Sequence, residues 1–211
     1  MRGPVLRQAR PDDVAAVASI WPEGWADGHV GHVPTELVAI RTPESFVTRA
    51  AARWADTTVA EVNGEIAGFV MVSGDEVEQV YVAAGHRGSG VAAILLTEAA
   101  RRVAANGHGR AWLAVATGNA RARRFYERQG WVDEGRFDYP APSEAGRIPV
   151  DCHRYAIAVA PADPGAPPTV PGRSPDANML ASRRADLGRS RNMPDSKGIR
   201  WRWSPGRSVS R

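Results

Sequence analysis

At 211 residues, 43% of them hydrophobic, the chain is long enough for one domain with a substantial core, and no apolar run approaches the ~20 residues of a membrane-spanning helix. A single cysteine, Cys152, excludes an intrachain disulfide, and the N-terminus lacks the apolar stretch of a secretory leader, so the expected compartment is the cytoplasm. The formal net charge of +4 is uneven: residues 1–160 hold 17 arginines, no lysine and 19 acidic residues, whereas residues 161–211 hold 10 basic and 4 acidic ones. The basic excess therefore belongs to the C-terminal segment, not to the chain ahead of it.

Pro11 followed by Asp12 and Asp13 suits a helix start, one of the two carboxylates capping a helix over Val14–Ile20. Trp21 to Val38, with Gly28, Gly31 and Pro34, reads as a loop in which Trp21 and Trp25 fit either core or pocket wall. His29 and His32 have the spacing of a metal pair but no third ligand, so no metal is expected. Thr42-Pro43-Glu44-Ser45 opens a second helix running to about Trp54, with Phe46, Val47, Ala50 and Ala51 on its apolar side. Thr57–Val62 and Ile66–Ser73 are strands joined by Asn63-Gly64, a strong hairpin signal, and Glu76–Val82 is the next strand. A helix from about Gly90 to Ala105 carries Val91, Ile94, Leu95, Ala99 and Val103 at helical spacing and stops at Asn106-Gly107. Strand Ala111–Ala116 follows, then a helix capped by Asn119 and ended by Gly130, then closing strands Val132–Arg136 and His153–Val159. The expected fold is α/β: a mixed, mostly antiparallel sheet flanked by helices, in a domain spanning residues 1–160.

The most informative segment is Val80 to Ala93, where a β-rich run breaks into a glycine turn that opens onto a helix. Gly88 and Gly90 remove the side chains that would keep a ligand off the backbone, and the amides of Gly90, Val91 and Ala92 sit at a helix N-terminus, where the macrodipole favours anions. Such a turn binds phosphate. Gly88-Ser-Gly90-Val-Ala-Ala93 fits the dinucleotide fingerprint, but that site needs the first strand of a βαβ unit and a ribose-binding carboxylate after the next strand. Two strand-like runs precede this turn, and the next strand ends in Thr117-Gly118 instead.

Arg87-Gly-Ser-Gly90-Val-Ala92 also fits R/Q-x-x-G-x-G/A, and 27 residues after Gly90 begins Thr117-Gly-Asn119-Ala-Arg-Ala-Arg-Arg-Phe125-Tyr126-Glu-Arg-Gln-Gly130-Trp131. The pair, in this order and spacing, resembles the GNAT superfamily of acyl-CoA-dependent N-acetyltransferases. The resemblance covers roughly residues 5 to 159, with Trp131 where the family's second block usually has Phe. It implies acetyl-CoA as cosubstrate, with its pyrophosphate on Arg87, Gly88, Ser89, Gly90, Val91 and Ala92. The pantetheine arm would then lie along Val80, Tyr81 and Val82 and touch Asn119. It also implies that Trp21 to Val38 shapes the acceptor pocket.

Acyl transfer to an amine needs a group that takes the amine's proton and one that gives a proton to the departing thiolate. Glu76 and Glu78 lie two residues apart on the strand entering the turn, so both carboxylates share one face; either is a candidate base, directly or through a water. By resemblance Tyr126 is the general acid, its phenol donating without being charged. Exposed strand carboxylates and a core tyrosine are the plainer alternatives. Cys152 is expected to be a buried, inert thiol, because adjacent His153 points to the opposite strand face. The acceptor expected is a small-molecule or peptide amine, and the domain's slight acidic excess mildly suits a cationic one. A homodimer stays open, and so does a non-catalytic acyl-CoA-binding module of the same fold. The Pro-, Arg- and Ser-rich segment 161–211 reads as a disordered tail; nucleic acid, if bound at all, would be bound there, through residues such as Trp201-Arg-Trp203.

Overall fold

The computed structural model describes residues 3–160, and the expectations for the tail lie outside them. In chain order the elements are β1 (Val5–Gln8), α1 (Val14–His29), α2 (Thr35–Ala39), α3 (Pro43–Arg53), β2 (Thr57–Val62), β3 (Glu65–Ser73), β4 (Glu76–Val82), α4 (Val91–Ala105), β5 (Arg110–Ala116), α5 (Ala120–Arg128), β6 (Val132–Ser143) and β7 (Gly146–Ala158). Asn63 and Gly64 both take positive φ, 53° and 86°, so the β2–β3 turn has the twist that matches its strands.

The strands form one seven-stranded sheet in the order β1-β2-β3-β4-β5-β7-β6. Every neighbouring pair is antiparallel except β4 and β5, which meet in parallel at a single register position, Glu76 opposite Trp112. Asp75 clamps that point: its carbonyl accepts the Trp112 amide at 3.0 Å and its carboxylate accepts the indole N–H at 3.1 Å. Beyond it the two strands part.

Apolar residues separate onto the two sheet faces. Trp21, Trp25, Phe46, Phe69, Met71 and Cys152 pack with α1 and α3 on one face, while Val70, Val72, Leu95, Val103, Leu113 and Tyr155 pack around α4 on the other. A β-bulge sits in β4: Met71 pairs with Gln79 and Val72 with Val77, leaving Glu78 as the extra residue. Strict alternation from Tyr81 would put Val77 on the α1 face; the bulge returns it to the α4 face beside Val80 and Val82.

Four expectations change. Trp21 to Val38 is not a loop: α1 continues to His29 with Pro22 inside it, and α2 follows. An internal proline costs a helix about 3 kcal/mol, but burial of Trp21 and Trp25 on the same helix offsets it. Asp13 does not cap α1 with its side chain; its carboxylate takes Arg7 at 2.6 and 2.9 Å and the Arg10 amide at 2.7 Å, tying β1 to the turn before α1. On α3 only Phe46 and Ala50 are buried, leaving Val47 and Ala51 outside. The closing hairpin is far longer than its apolar core, with Pro140 paired against Pro149 in an arm extending past β5. On that arm β7 has no second neighbour, so Pro149 removes no ladder hydrogen bond there.

Gly68 of β3 shows how tightly the sheet is built beside the cleft described below: a Cβ there would lie 2.7 Å from the Tyr81 carbonyl oxygen and 3.2 Å from the Val82 Cα. Gly68→Ala is expected to lose about 1–3 kcal/mol in denaturant titration, as backbone cannot yield as a side-chain tip would. Wild-type stability in that variant would show that β3 and β4 can separate.

Candidate active site

The parting of β4 and β5 opens a cleft of about 2150 Å³, walled by α1 and α3, by the β6–β7 arm and by the start of α4. At its α4 end lies the glycine turn. Gly90 precedes the helix at φ +87° and Gly88 takes φ +77°, a region that side-chain-bearing residues rarely adopt. A Cβ at either position would meet nothing within 4 Å, so the face of the turn is open. The first intrahelical bond runs from the Ile94 amide to the Gly90 carbonyl at 3.2 Å, which leaves the amides of Val91, Ala92 and Ala93 without helical partners. An open, amide-lined turn fits the pyrophosphate of a coenzyme.

Two residues of the turn are otherwise engaged. The Arg87 guanidinium pairs with Glu23 at 3.2 Å and Asp27 at 2.7 Å, bridging the turn to α1. The Ser89 hydroxyl donates to the His86 carbonyl at 2.5 Å. Val80, Tyr81 and Val82 line the cleft on the diverging length of β4, and the Tyr81 ring packs against Trp21 and Phe69. Burial raises the Tyr81 phenol, which stays protonated. Gly24 of α1 is what lets the helix lie here, since a Cβ there would sit 2.5 Å from the Tyr81 ring.

The two candidate bases have different surroundings. Glu78 is bound at 2.7 Å by Arg53 of α3, which also holds Asp56 at 2.9 Å. Among the described residues no arginine pairs with Glu76, though the field of Arg154 reaches it. Burial pushes its carboxyl above the ordinary value, and the Tyr139 hydroxyl facing it pulls the other way by favouring the carboxylate. Tyr139 itself is raised by burial and by the field of Glu76. Both carboxylates line the cleft.

Tyr126 lines the cleft from α5, its ring packed against Phe125, Trp131 and Tyr155. Burial alone pushes its phenol up to about 12, so it keeps a proton to give through neutral pH. Asn119 caps α5 by accepting the Ala122 amide at 3.0 Å, and its Nδ2 donates to the Gly28 carbonyl at 3.2 Å. It joins the end of α1 to the start of α5 and lines the cleft as well.

The histidines part company. His29 lines the cleft, stacked on Trp25 at 4.7 Å with its Nδ1 on the Trp25 carbonyl at 2.8 Å, whereas His32 lies against Gly118 in a separate small pocket. Among the described residues no group of three or more His, Cys, Asp or Glu is arranged to hold a metal ion, and no helix is long and apolar enough to cross a membrane. Trp21 and Trp25 are both core and pocket wall. Cys152 is buried, its thiol pushed up to about 12 by burial, while His153 sits on Asp133 at 2.8 Å. Sequence reasoning missed Tyr139, Arg41, Arg49 and Arg53, all of which line the cleft. Tyr139 stands in a proline-rich stretch with no strand signature, and an arginine on an amphipathic helix carries no sign that it turns inward.

The family model described as "Acetyltransferase (GNAT) family" matches residues 19–131. The chain is 37% identical to streptothricin acetyltransferase of Streptomyces lavendulae over 76 residues, which cover 33% of this chain and 40% of that relative. It is 31% identical over 135 residues, 59% of this chain and 84% of the relative, to an uncharacterized N-acetyltransferase of Mycobacterium tuberculosis. Among solved structures it is similar to a GCN5-related N-acetyltransferase from Rhodopseudomonas palustris, with TM-score 0.58 and 21% identity, covering 75% of this chain and 98% of that one. A Salmonella typhimurium acetyltransferase determined with acetyl-CoA gives TM-score 0.54 and 20% identity, covering 80% and 99%. With the splayed parallel pair and the glycine turn at its mouth, these matches show that the chain belongs to the GNAT acetyltransferase family.

Proposed function

We propose that the protein is an N-acetyltransferase that moves an acetyl group from acetyl-CoA to a primary amine, with both substrates held together in the cleft. One observation carries this reading: a single cleft is lined by the open glycine turn, by a half-buried carboxylate that forms no ion pair among the described residues, and by a phenol that holds its proton. The Mycobacterium tuberculosis relative named as an N-acetyltransferase supports transfer to nitrogen.

Acetyl-CoA supplies an acyl group activated as a thioester. The amides of Gly88, Gly90, Val91 and Ala92 hold its pyrophosphate, with the α4 dipole adding to the attraction, while the Ser89 amide stays on the His86 carbonyl at 3.3 Å. The diverging edge of β4 from Val80 to Val82 receives the extended arm, and Asn119 meets it from the start of α5. The acceptor arrives as an ammonium ion, which has no lone pair, and Glu76 takes the proton directly or through a water. Its burial matches it to this task, because a base works best with a pKa nearer the operating pH. Tyr126 gives a proton to the departing sulfur. Glu78, already bound to Arg53, positions the wall beside Glu76.

The expected outcome for Tyr126→Phe or Glu76→Gln is a fall in kcat of about 10²- to 10⁴-fold in a thiol-release assay with acetyl-CoA and an amine panel. Coenzyme binding is expected to survive. Full turnover in both variants would sink the assigned roles, and no turnover with any amine in the wild type would favour a non-catalytic acyl-CoA-binding module.

The pH profile gives a second check. Glu76 must be ionised to act, so turnover rises with pH through its raised pKa, and the acid limb is displaced upward from the ordinary glutamate value. Tyr139 favours the ionised form; Tyr139→Phe therefore moves that limb to higher pH. A limb that stays in place would remove Glu76 as the base.

We also propose that residues 1–160 suffice for the fold and for coenzyme binding. A chain cut after Ala160 is expected to bind CoA as the full chain does, measured by calorimetry; loss of binding would move the domain boundary.

A further inference from the structure

The half-buried arginines of this protein are met in different ways: Arg102 donates to the Thr58 hydroxyl at 2.7 Å and Arg154 lies over the Trp112 and Phe137 rings, both away from the cleft lining, while three others meet carboxylates. Arg7, Arg53 and Arg123 each have one at 3.2 Å or less. Arg41 and Arg49, both half-buried and both lining the cleft, form no ion pair with a described Asp or Glu. Arg41, just beyond α2, uses one N–H on the Pro142 carbonyl at 3.0 Å. Arg49, on α3, lays its guanidinium over the Trp21 ring, 4.9 Å from the centroid. A guanidinium carries five N–H donors, so most of those on this pair stay free.

The electrostatics agree. Burial pulls Arg41 down to about 10, the field of Arg49 adds to this, and burial lowers Arg49 too. His29 is lowered by burial and by both arginines, which puts all three groups in one corner. The acids facing that corner do little to balance it. The field of Glu78 reaches Arg49, but its carboxylate is bound by Arg53; Glu76 is pushed toward its neutral form; Asp27 is held by Arg87; and the cleft's remaining carboxylates at Glu36, Glu44 and Glu144 are exposed, where water screens them. Tyr81 and Tyr139 close the corner with neutral phenols. Two desolvated positive charges without a counter-ion are costly, and an anionic ligand removes that cost with charge-assisted hydrogen bonds.

We propose that Arg41 and Arg49 receive an oxyanion on the acceptor, so that the amine acetylated is a small one bearing a carboxylate or phosphonate, of the amino acid class. This rests on the acetyl-transfer reading and names its acceptor. The anion docks between α3 and the β6–β7 arm, and the amino group lies toward Glu76, with Tyr139 between the two subsites. Arg49 is the stronger anchor, since Trp21 fixes its plane.

The test uses the full chain with acetyl-CoA and the proteinogenic L-amino acids, simple aminoalkylphosphonates, the matching amino acid amides and spermidine. Thiol release gives kcat and KM, and the shift in Tm with CoA present reports binding without turnover. Acids are expected to exceed their amides in kcat/KM by about 10- to 100-fold, the range of one or two lost charge-assisted hydrogen bonds. Arg41→Gln and Arg49→Gln are expected to raise the KM of the acid more than that of acetyl-CoA, and Arg49→Lys to recover part of the loss. Amides or spermidine equal to the acids would overturn the proposal, and this comparison holds even if a variant fails to fold. Acid-selective Tm shifts without transfer would keep the anion pocket and remove the acetyl-transfer reading; transfer without acid selectivity would do the reverse. No binding and no transfer with any of these amines would overturn both.

Discussion

The site depends on one constraint in the sheet: two parallel strands that touch at a single point. Asp75 holds β4 and β5 together at Glu76 and Trp112 through its backbone and its side chain, and nothing continues the ladder past that point. Each strand is paired on its other side, β4 with β3 and β5 with β7, so the gap opens without loosening the sheet. A cleft walled by strand edges results, with backbone groups on offer and the α4 N-terminus at its end. Glu76 stands at the apex of that opening because the same residue forms the last contact. The proposed base is therefore where the strands part by construction, not by a separate adjustment.

Burial then gives similar side chains different uses. Glu76 and Glu78 are two residues apart on one strand, yet one is tied to Arg53 and the other faces a tyrosine. The bulge at Glu78 is part of the cause: the extra residue keeps Val77 in the α4-side core while both carboxylates turn toward α3 and the β6–β7 arm. The arginines divide in the same way. Arg53 has its carboxylates, whereas Arg41 and Arg49 have a carbonyl and an indole face. The slight acidic excess of residues 1–160 carries little information about the acceptor, because charge in the cleft acts locally and in a lower dielectric than charge on the surface.

The long β6–β7 arm links these features. It carries Tyr139 to Glu76 and brings the Pro142 carbonyl to Arg41. An arm extending beyond β5 keeps prolines in strand geometry without losing ladder bonds, and its inner residues, such as Ala141 and Val150, pack into the α1-side core. One element so covers the side of the cleft that holds Glu76 and Arg41 and orients the polar groups there.

The sequence by itself determined the local chemistry. Asn63-Gly64 fixed a hairpin because both positions need positive φ; Gly88 and Gly90 fixed a turn that exposes amides; and Asn119 fixed the start of α5 by capping it. The glycine turn together with the Asn119–Tyr126 block was enough to indicate the family, since both depend on short-range geometry that residue spacing encodes. Tertiary structure decided what depends on partners distant in the chain. Gly28, Gly31 and Pro34 argued for a loop from Trp21 onward, but α1 runs on to His29 with Trp21 and Trp25 buried; Asp13 looked like a cap, but Arg7 claims its carboxylate. Neither the separate surroundings of Glu76 and Glu78 nor the two arginines without counter-ions could be read from spacing. Burial and ion pairing are set by residues as far apart in the chain as Arg41 and Pro142, and only the folded chain brings them within 3.0 Å.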